Sequence, residues 1–465
     1  VMLIAIHLAG YSWLEADKLR KAMGKKIPKD MEEQKEKLLK GFVKNGLGKK
    51  DANTLWKLIE PFAAYGFNKC LTGDTRIVDA KSGRVMSIYD IYKKNEKLNV
   101  LSLNQEQSLQ SNPVKMIMEN GKKNVFELIT RSGRRIKATS NHPFFTFSGW
   151  INLGKLKVGQ RIAVPRDMSG VKSTVKDMDK AATLGYLLSE GNLCHPYGLY
   201  FYSSKMDEIE DFIKYASKFK NSKFTIDKSK SAISVYCGQK DQNKGNNMLE
   251  WIKKEGLFNH KATEKYIPES AFKYDTDSLS ILLGKIWQGD GCVSIKNDQV
   301  YYATSSERLA HDVQHILLRL GIMSGIHHKK FKYRGGYKIG YTVVVTHREN
   351  LINFKKNIGK YLIGRKNKDL TTLLNNTSHL SSIAAIGTKD TIPAEVLITI
   401  KEEMKKLDVS VSQISKRLKI SPRLFHFDKK KTGYQRGIID MIGKELESDK
   451  LIEIANSSIY WDEIV

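Results

Sequence analysis

At 465 residues the chain is longer than one compact core supports, and roughly two to four domains are expected. A hydrophobic share of 41% is ordinary for globular proteins and excludes a disordered chain. The formal net charge of +28 calls for a polyanionic partner, and lysines spread over many segments favour nucleic acid over a membrane surface.

Four cysteines, Cys70, Cys194, Cys237 and Cys292, show no C-x-x-C spacing, which argues against a disulfide framework or a zinc knuckle. They suit a reducing cytoplasm, the expected location. The apolar opening from Val1 to Ala9 has neither a basic leader nor a cleavage site, and no apolar run approaches the ~18 residues of a membrane span. No membrane partner is expected. A start at Val1 rather than Met reads as a fragment edge.

Over residues 1–69, apolar positions recur at helical spacing: Leu14, Leu19, Met23; Leu38, Leu39, Phe42, Val43; Leu55, Leu58, Ile59, Phe62. Gly10, Gly24, Pro28, Gly46 and Gly48 cut them into short helices, with Asp51 a candidate N-cap. The wording Ala9-Gly10-Tyr11-Ser12, Arg20-Lys21-Ala22-Met23-Gly24-Lys25-Lys26 and Phe62-Ala63-Ala64-Tyr65-Gly66-Phe67-Asn68-Lys69 resembles the bacterial DNA polymerase III alpha subunit. That resemblance implies a helical host fragment near the template and primer, without the polymerase's catalytic aspartates. In that family Phe-Asn-Lys runs directly into Ser-His-Ala, whereas here Cys70 intervenes.

From Cys70 the composition changes. Short strands are expected at 75–78, 85–88, 100–103, 114–119, 125–130, 135–138 and 144–147, separated by turns such as Asn120-Gly121 and Ser132-Gly133. This is an all-β unit over 70–167. A thiol on the residue just after a peptide bond can attack it, so Cys70 Sγ can turn the Lys69–Cys70 amide into a thioester. In Thr139-Ser140-Asn141-His142, His142 is the general acid for the departing amine. Thr139 and nearby amides are candidates to hold the oxyanion, and Asp74 is a further candidate proton carrier. The stretches 70–78 and 135–153 resemble the two opening motifs of the hedgehog/intein splicing fold, which implies protein splicing.

Over 168–395 two similar blocks appear: Leu184-Gly185-Tyr186-Leu187-Leu188-Ser189-Glu190-Gly191 and Leu283-Gly284-Lys285-Ile286-Trp287-Gln288-Gly289-Asp290-Gly291. Each is an apolar helix carrying a small residue and ending in an acid followed by Gly, and each precedes strand-like wording. Packed through the small residues, such helices bring Glu190 and Asp290 together as hard oxygen ligands for Mg²⁺ in phosphodiester hydrolysis. The repeat resembles the LAGLIDADG, or DOD-type, homing endonucleases, acting here as a monomer. The resemblance implies double-stranded DNA, an uninterrupted copy of the host gene, as substrate. It also implies a basic catalytic residue, for which Lys338 is the candidate. Lys329, Lys330, Lys332 and Arg334 are expected to face DNA phosphates. Ser189 and Gln288 depart from the family's common wording.

Over 396–456, helices at 402–407, 412–418 and 422–427 resemble a helix-turn-helix, followed by the basic run Lys429-Lys430-Lys431. Residues 457–465 read as a return to the splicing fold. An intein's terminal His-Asn pair does not occur by Val465, so a carboxyl-terminal intein segment and downstream host are expected as missing partners. The fold expected is thus multidomain α+β: helical host fragment, incomplete all-β splicing domain, two-repeat α/β LAGLIDADG endonuclease and a small helical segment. Two other readings fit the same residues. One is a DNA-binding endonuclease with an inert splicing domain, and the other is the amino-terminal half of a split intein acting in trans.

Overall fold

The computed structural model describes residues 1–25, 28–64, 69–229, 231–333, 335–376, 390–426 and 433–465. Gly66, Phe67 and Asn68 at the junction, Arg334 and the run Lys429-Lys430-Lys431 lie outside the described residues.

Four helices, Met2–Ala9, Trp13–Lys25, Pro28–Lys44 and Lys49–Ala64, surround a core of Ala5, Leu19, Leu38, Phe42 and Trp56. Gly10 ends the first helix in the left-handed region (φ 68°), where a side chain would be strained. Two expected helix boundaries differ. Gly24 lies within the second helix, and the fourth starts at Lys49, leaving Asp51 in its first turn rather than at the cap. An acid there still complements the helix dipole.

The next part is a set of antiparallel hairpins: Arg76–Val78 with Val85–Ser87, Asn99–Leu103 with Leu109–Pro113, Phe126–Ile129 with Arg135–Ala138, and Pro143–Thr146 with Gly149–Asn152. The expected strand at 114–119 is absent. The chain instead turns at Gln107 (φ 58°) and pairs the more polar Leu109–Pro113 through its backbone. The strand expected over 85–88 ends at Ser87, which also caps a helix, Ile88–Lys94, by accepting from the Asp90 amide. Strand Arg161–Pro165 then pairs with Ile459–Glu463, from Ile459 opposite Pro165 to Glu463 opposite Arg161. The chain leaves the β-rich part at Pro165 and rejoins it at Ile459, so everything between is an insertion in one continuous sheet pairing.

That insertion contains two copies of one unit. Helix Met178–Glu190 leads into a sheet ordered Gly191–Asn192, Leu199–Ser203, Ile233–Gln239, Ser222–Asp227. Helix Thr276–Asp290 leads into Gly291–Ser294, Gln299–Thr304, Gly336–Val345, Gly325–Tyr333, with the same spatial order. Alternation carries Leu199, Phe201 and Val235 of one sheet, and Val300, Tyr302 and Val343 of the other, into a shared core. The two acid-ended helices cross so closely at Gly185 that a Cβ there would stand 2.5 Å from the Leu282 carbonyl oxygen. Only glycine fits that crossing.

The β-rich part is joined to the second repeat by buried polar contacts. Arg76 pairs with the fully buried Asp312 of helix Glu307–Arg319. Gln314 donates to the Ser132 carbonyl (2.9 Å), as does the Ile326 amide (3.0 Å). Burial pushes the Asp312 carboxyl up, and Arg76 opposes that shift.

A last module has its own core, including Ile400, Ile414, Phe425, Ile439 and Leu451. Helix Val411–Leu418 starts with a full capping box between Ser410 and Gln413. The expected second helix of a helix-turn-helix is not built among the described residues. Lys419 turns left-handed (φ 54°), Ser421 and Pro422 restart the chain, and only the 3₁₀ turn Pro422–Phe425 follows. Asp390 anchors the module, accepting from Arg166 (2.6 Å) and Arg436 (2.8 Å).

Candidate active sites

At the junction, the Cys70 backbone is pinned to the end of strand Arg135–Ala138. The Cys70 N–H donates to Thr139 Oγ1 (3.1 Å), and the Thr139 N–H donates to the Cys70 carbonyl (3.0 Å). The Thr139 hydroxyl in turn donates to Asn141 Oδ1 (2.7 Å). Thr139 therefore holds the nitrogen of the Lys69–Cys70 bond. Its hydroxyl proton is committed to Asn141, so the oxyanion role expected of it has no donor in this geometry. Asn120 Nδ2 donates to Cys70 Sγ (3.2 Å).

His142 stands at the same bond. Its amide donates to the Thr139 carbonyl (2.9 Å), which fixes the turn, and its ring hydrogen-bonds the Lys69 main chain. Nδ1 is buried with no hydrogen-bond partner. Burial, then the Lys69 ammonium, hold the imidazole below its usual pKa, so it is neutral near pH 7. A neutral imidazole takes a thiol proton before it can protonate an amine. Asp74 is exposed and lines a separate cavity of about 520 Å³ with Tyr89, Asp90, Glu269 and Arg308; Cys70, Thr139 and His142 do not line it.

At the second centre, Glu190 and Asp290 end their helices within hydrogen-bonding reach of each other. Burial, then the neighbouring Glu190 carboxylate, push Asp290 up to about 6. Two lysines missed in the sequence cap these helix ends. Lys265, 4% exposed, donates from Nζ to the carbonyls of Leu187 (2.8 Å), Leu188 (3.1 Å) and Gly191 (2.8 Å). Lys366 repeats the pattern on Trp287 (2.9 Å), Gln288 (2.6 Å) and Gly289 (2.9 Å). Each ammonium spends all three donors on carbonyls at the negative end of a helix dipole, beside an acid. Burial lowers Lys265 to about 8, against the pull of Asp290 and Glu190. Each lysine follows its acid at nearly the same separation, so aligning the two repeats would have found them.

Lys338 is placed elsewhere. It pairs with Phe331, five residues along its strand from Val343, which is level with Tyr302 and Gly291. That is about 17 Å of strand away from the acids. The expected phosphate row also splits. Lys330 and Lys332 share the parity of Ile326, the core side, whereas Lys329 and Lys338 share the opposite face with Thr342 and Tyr301. A basic run read as one cluster is divided by strand alternation. Gln288 and Ser189 are absorbed by packing: Gln288 Nε2 donates to Glu208 (2.8 Å), and Ser189 Oγ donates to the Tyr186 carbonyl (3.1 Å).

The donor set fits a small hard divalent cation. Two carboxylates this close repel, and a cation between them removes the repulsion. Among the described residues no group of three or more His, Cys, Asp or Glu side chains is placed to hold a metal. The remaining ligands would be backbone carbonyls, water and phosphate oxygens, as Mg²⁺ accepts.

Residues 278–359 match the family model of a LAGLIDADG-like domain. Residues 1–46 match the bacterial DNA polymerase III alpha subunit finger domain, a shorter span than the resemblance to Lys69. Among curated proteins, the chain is 27% identical over 409 residues to the replicative DNA helicase DnaB of Synechocystis sp. (strain ATCC 27184 / PCC 6803 / Kazusa), covering 85% of this chain and 46% of that protein. It is 29% identical over 409 residues to DnaB of Rhodothermus marinus (85% and 42%). It is 29% identical over 268 residues to Protein RecA of Mycobacterium tuberculosis strain H37Rv (56% and 33%). The chain thus spans less than half the length of these relatives. Among solved structures, a DnaB intein from Synechocystis sp. PCC 6803 is 40% identical over 21% of this chain and 70% of that one, with a TM-score of 0.21. I-DmoI in complex with DNA and Mn is 17% identical over 39% and 95%, with a TM-score of 0.28. Among the described residues no helix is long and apolar enough to cross a membrane.

Proposed function

We propose that the chain is a DNA polymerase III alpha fragment interrupted by an intein that carries a LAGLIDADG homing endonuclease. The observation that carries this reading is the pairing of Arg161–Pro165 with Ile459–Glu463, which encloses the two-repeat body, while Cys70 and His142 meet at Lys69. The finger-domain match ahead of the junction supports the host, and the match at 278–359 supports the nuclease.

In splicing, neutral His142 takes the Cys70 thiol proton, and Sγ attacks the Lys69 carbonyl carbon. The C–N bond breaks, and His142 returns the proton to the Cys70 nitrogen that Thr139 Oγ1 holds in place. The products of this step are a thioester and a free amine. Because the His142 pKa is lowered, thiol-driven release of residues 1–69 should be level through neutral pH and fall only on acidification below the ordinary histidine range. A rate-against-pH series with dithiothreitol, each rate divided by the reagent's thiolate fraction, checks this; a corrected rate that declines from above pH 7 contradicts it.

In the nuclease, Glu190 and Asp290 would hold Mg²⁺, and the ion when bound supplies charge stabilisation and an acidified water for phosphodiester hydrolysis. Lys265 and Lys366 fix the helix ends so that both carboxylates point to one place. Lys329 and Lys338 contact phosphates from the open sheet face. The substrate is double-stranded DNA spanning the junction of an uninterrupted polymerase gene. A plasmid carrying that joined sequence should be linearised by the chain in Mg²⁺. An intact plasmid at saturating protein counts against the nuclease half.

A further inference from the structure

The turn Asn120-Gly121 lies in the irregular stretch between strands Leu109–Pro113 and Phe126–Ile129, with Gly121 in the left-handed region (φ 65°). The turn brings a half-buried side chain back to the junction. Asn120 Nδ2 lies 3.2 Å from Cys70 Sγ, a donor aimed at the reacting sulfur. The Cys70 backbone is fixed on both sides by Thr139, so the thiol's remaining freedom is rotation about its own Cα–Cβ bond. A hydrogen bond to sulfur selects one rotamer and favours the anionic over the neutral form.

We infer that Asn120 is a catalytic residue of the first splicing step, holding Cys70 Sγ in the attacking position and stabilising it as the thiolate. The inference rests on the splicing reading above. The order of events follows from the donors present. His142 removes the thiol proton, the Asn120 amide keeps its hydrogen bond to the negative sulfur, and the sulfur's electron pair forms the bond to the Lys69 carbonyl carbon. As the C–N bond breaks, the negative charge leaves sulfur, and the proton from His142 reaches the Cys70 nitrogen. The Asn120 bond is therefore strongest before attack and weakest in the thioester, so it also limits how far the equilibrium runs towards the thioester.

The test uses the full chain with Asn120→Ala and Asn120→Asp, the second keeping the shape while replacing the donor with an acceptor. Two quantities are read: thiol-driven release of residues 1–69, and peptide-resolved alkylation of Cys70 by iodoacetamide across pH. Losing a hydrogen bond to a charged group should slow release by about 10- to 100-fold in Asn120→Ala, and further in Asn120→Asp. The alkylation midpoint of Cys70 should move to higher pH in the same order. A purely structural loop residue would lower the melting temperature and leave the midpoint where it was, which overturns the inference. Release at the wild-type rate in Asn120→Ala overturns it as well. If wild type itself releases nothing with thiol, the splicing reading fails, and the alkylation midpoint still decides whether Asn120 acts on the sulfur.

Discussion

Asp290→Asn is expected to lower Mg²⁺-dependent DNA cleavage by about a thousandfold or more, equivalent to about 4 kcal/mol of lost transition-state stabilisation. The amide is nearly isosteric, so the helix end and its Lys366 cap should survive, and DNA binding with them. What is lost is one of two anionic ligands. The wild-type centre should also weaken on acidification through about pH 6, where Asp290 takes up a proton, because protons and metal compete for the same oxygens. A gel-based cleavage assay run beside a binding assay separates the two effects. Equal cutting by Asp290→Asn, or loss of binding along with cutting, removes the proposed role.

Cys70→Ala is expected to abolish thiol-driven release of residues 1–69 outright, since the acyl group moves onto the Cys70 sulfur and alanine has no nucleophile to take it. Cys70 is half-buried and its backbone hydrogen bonds to Thr139 do not depend on the thiol, so the variant should fold normally. Thr139→Ala gives the graded comparison. It removes the acceptor on the leaving nitrogen and should slow release without eliminating it. Release that persists in Cys70→Ala would sink the mechanism.

Much of this was legible in the sequence because the chemistry sits on short-range wording. A cysteine at a composition change, Thr-x-x-His beyond it, and two apolar helices each ending in an acid and Gly are all local patterns. The return of residues 457–465 was read from the resemblance to the splicing fold; its partner, Arg161–Pro165, was not expected as a strand. Lys265 and Lys366 were missed because a capping lysine has no period of its own; only the repeat relates them. Asn120 was read as a turn residue, which it is, but its contact with Cys70 spans 50 residues and depends on how a loop folds back. The basic run from Lys329 was read as one cluster, and alternation on the strand divides it between two faces. Of the helix-turn-helix, the first helix ends at Leu418 as expected, but among the described residues the second is only the 3₁₀ turn Pro422–Phe425.

The most direct measurement is the intact mass of the purified chain after hydroxylamine treatment. The account predicts two products, one ending at Lys69 as a hydroxamate and the other beginning at Cys70, because only a thioester at that bond yields them. A chain left uncleaved between Lys69 and Cys70 would contradict it; scission at Asn45-Gly46 or Asn120-Gly121, bonds that hydroxylamine also opens, bears on neither outcome.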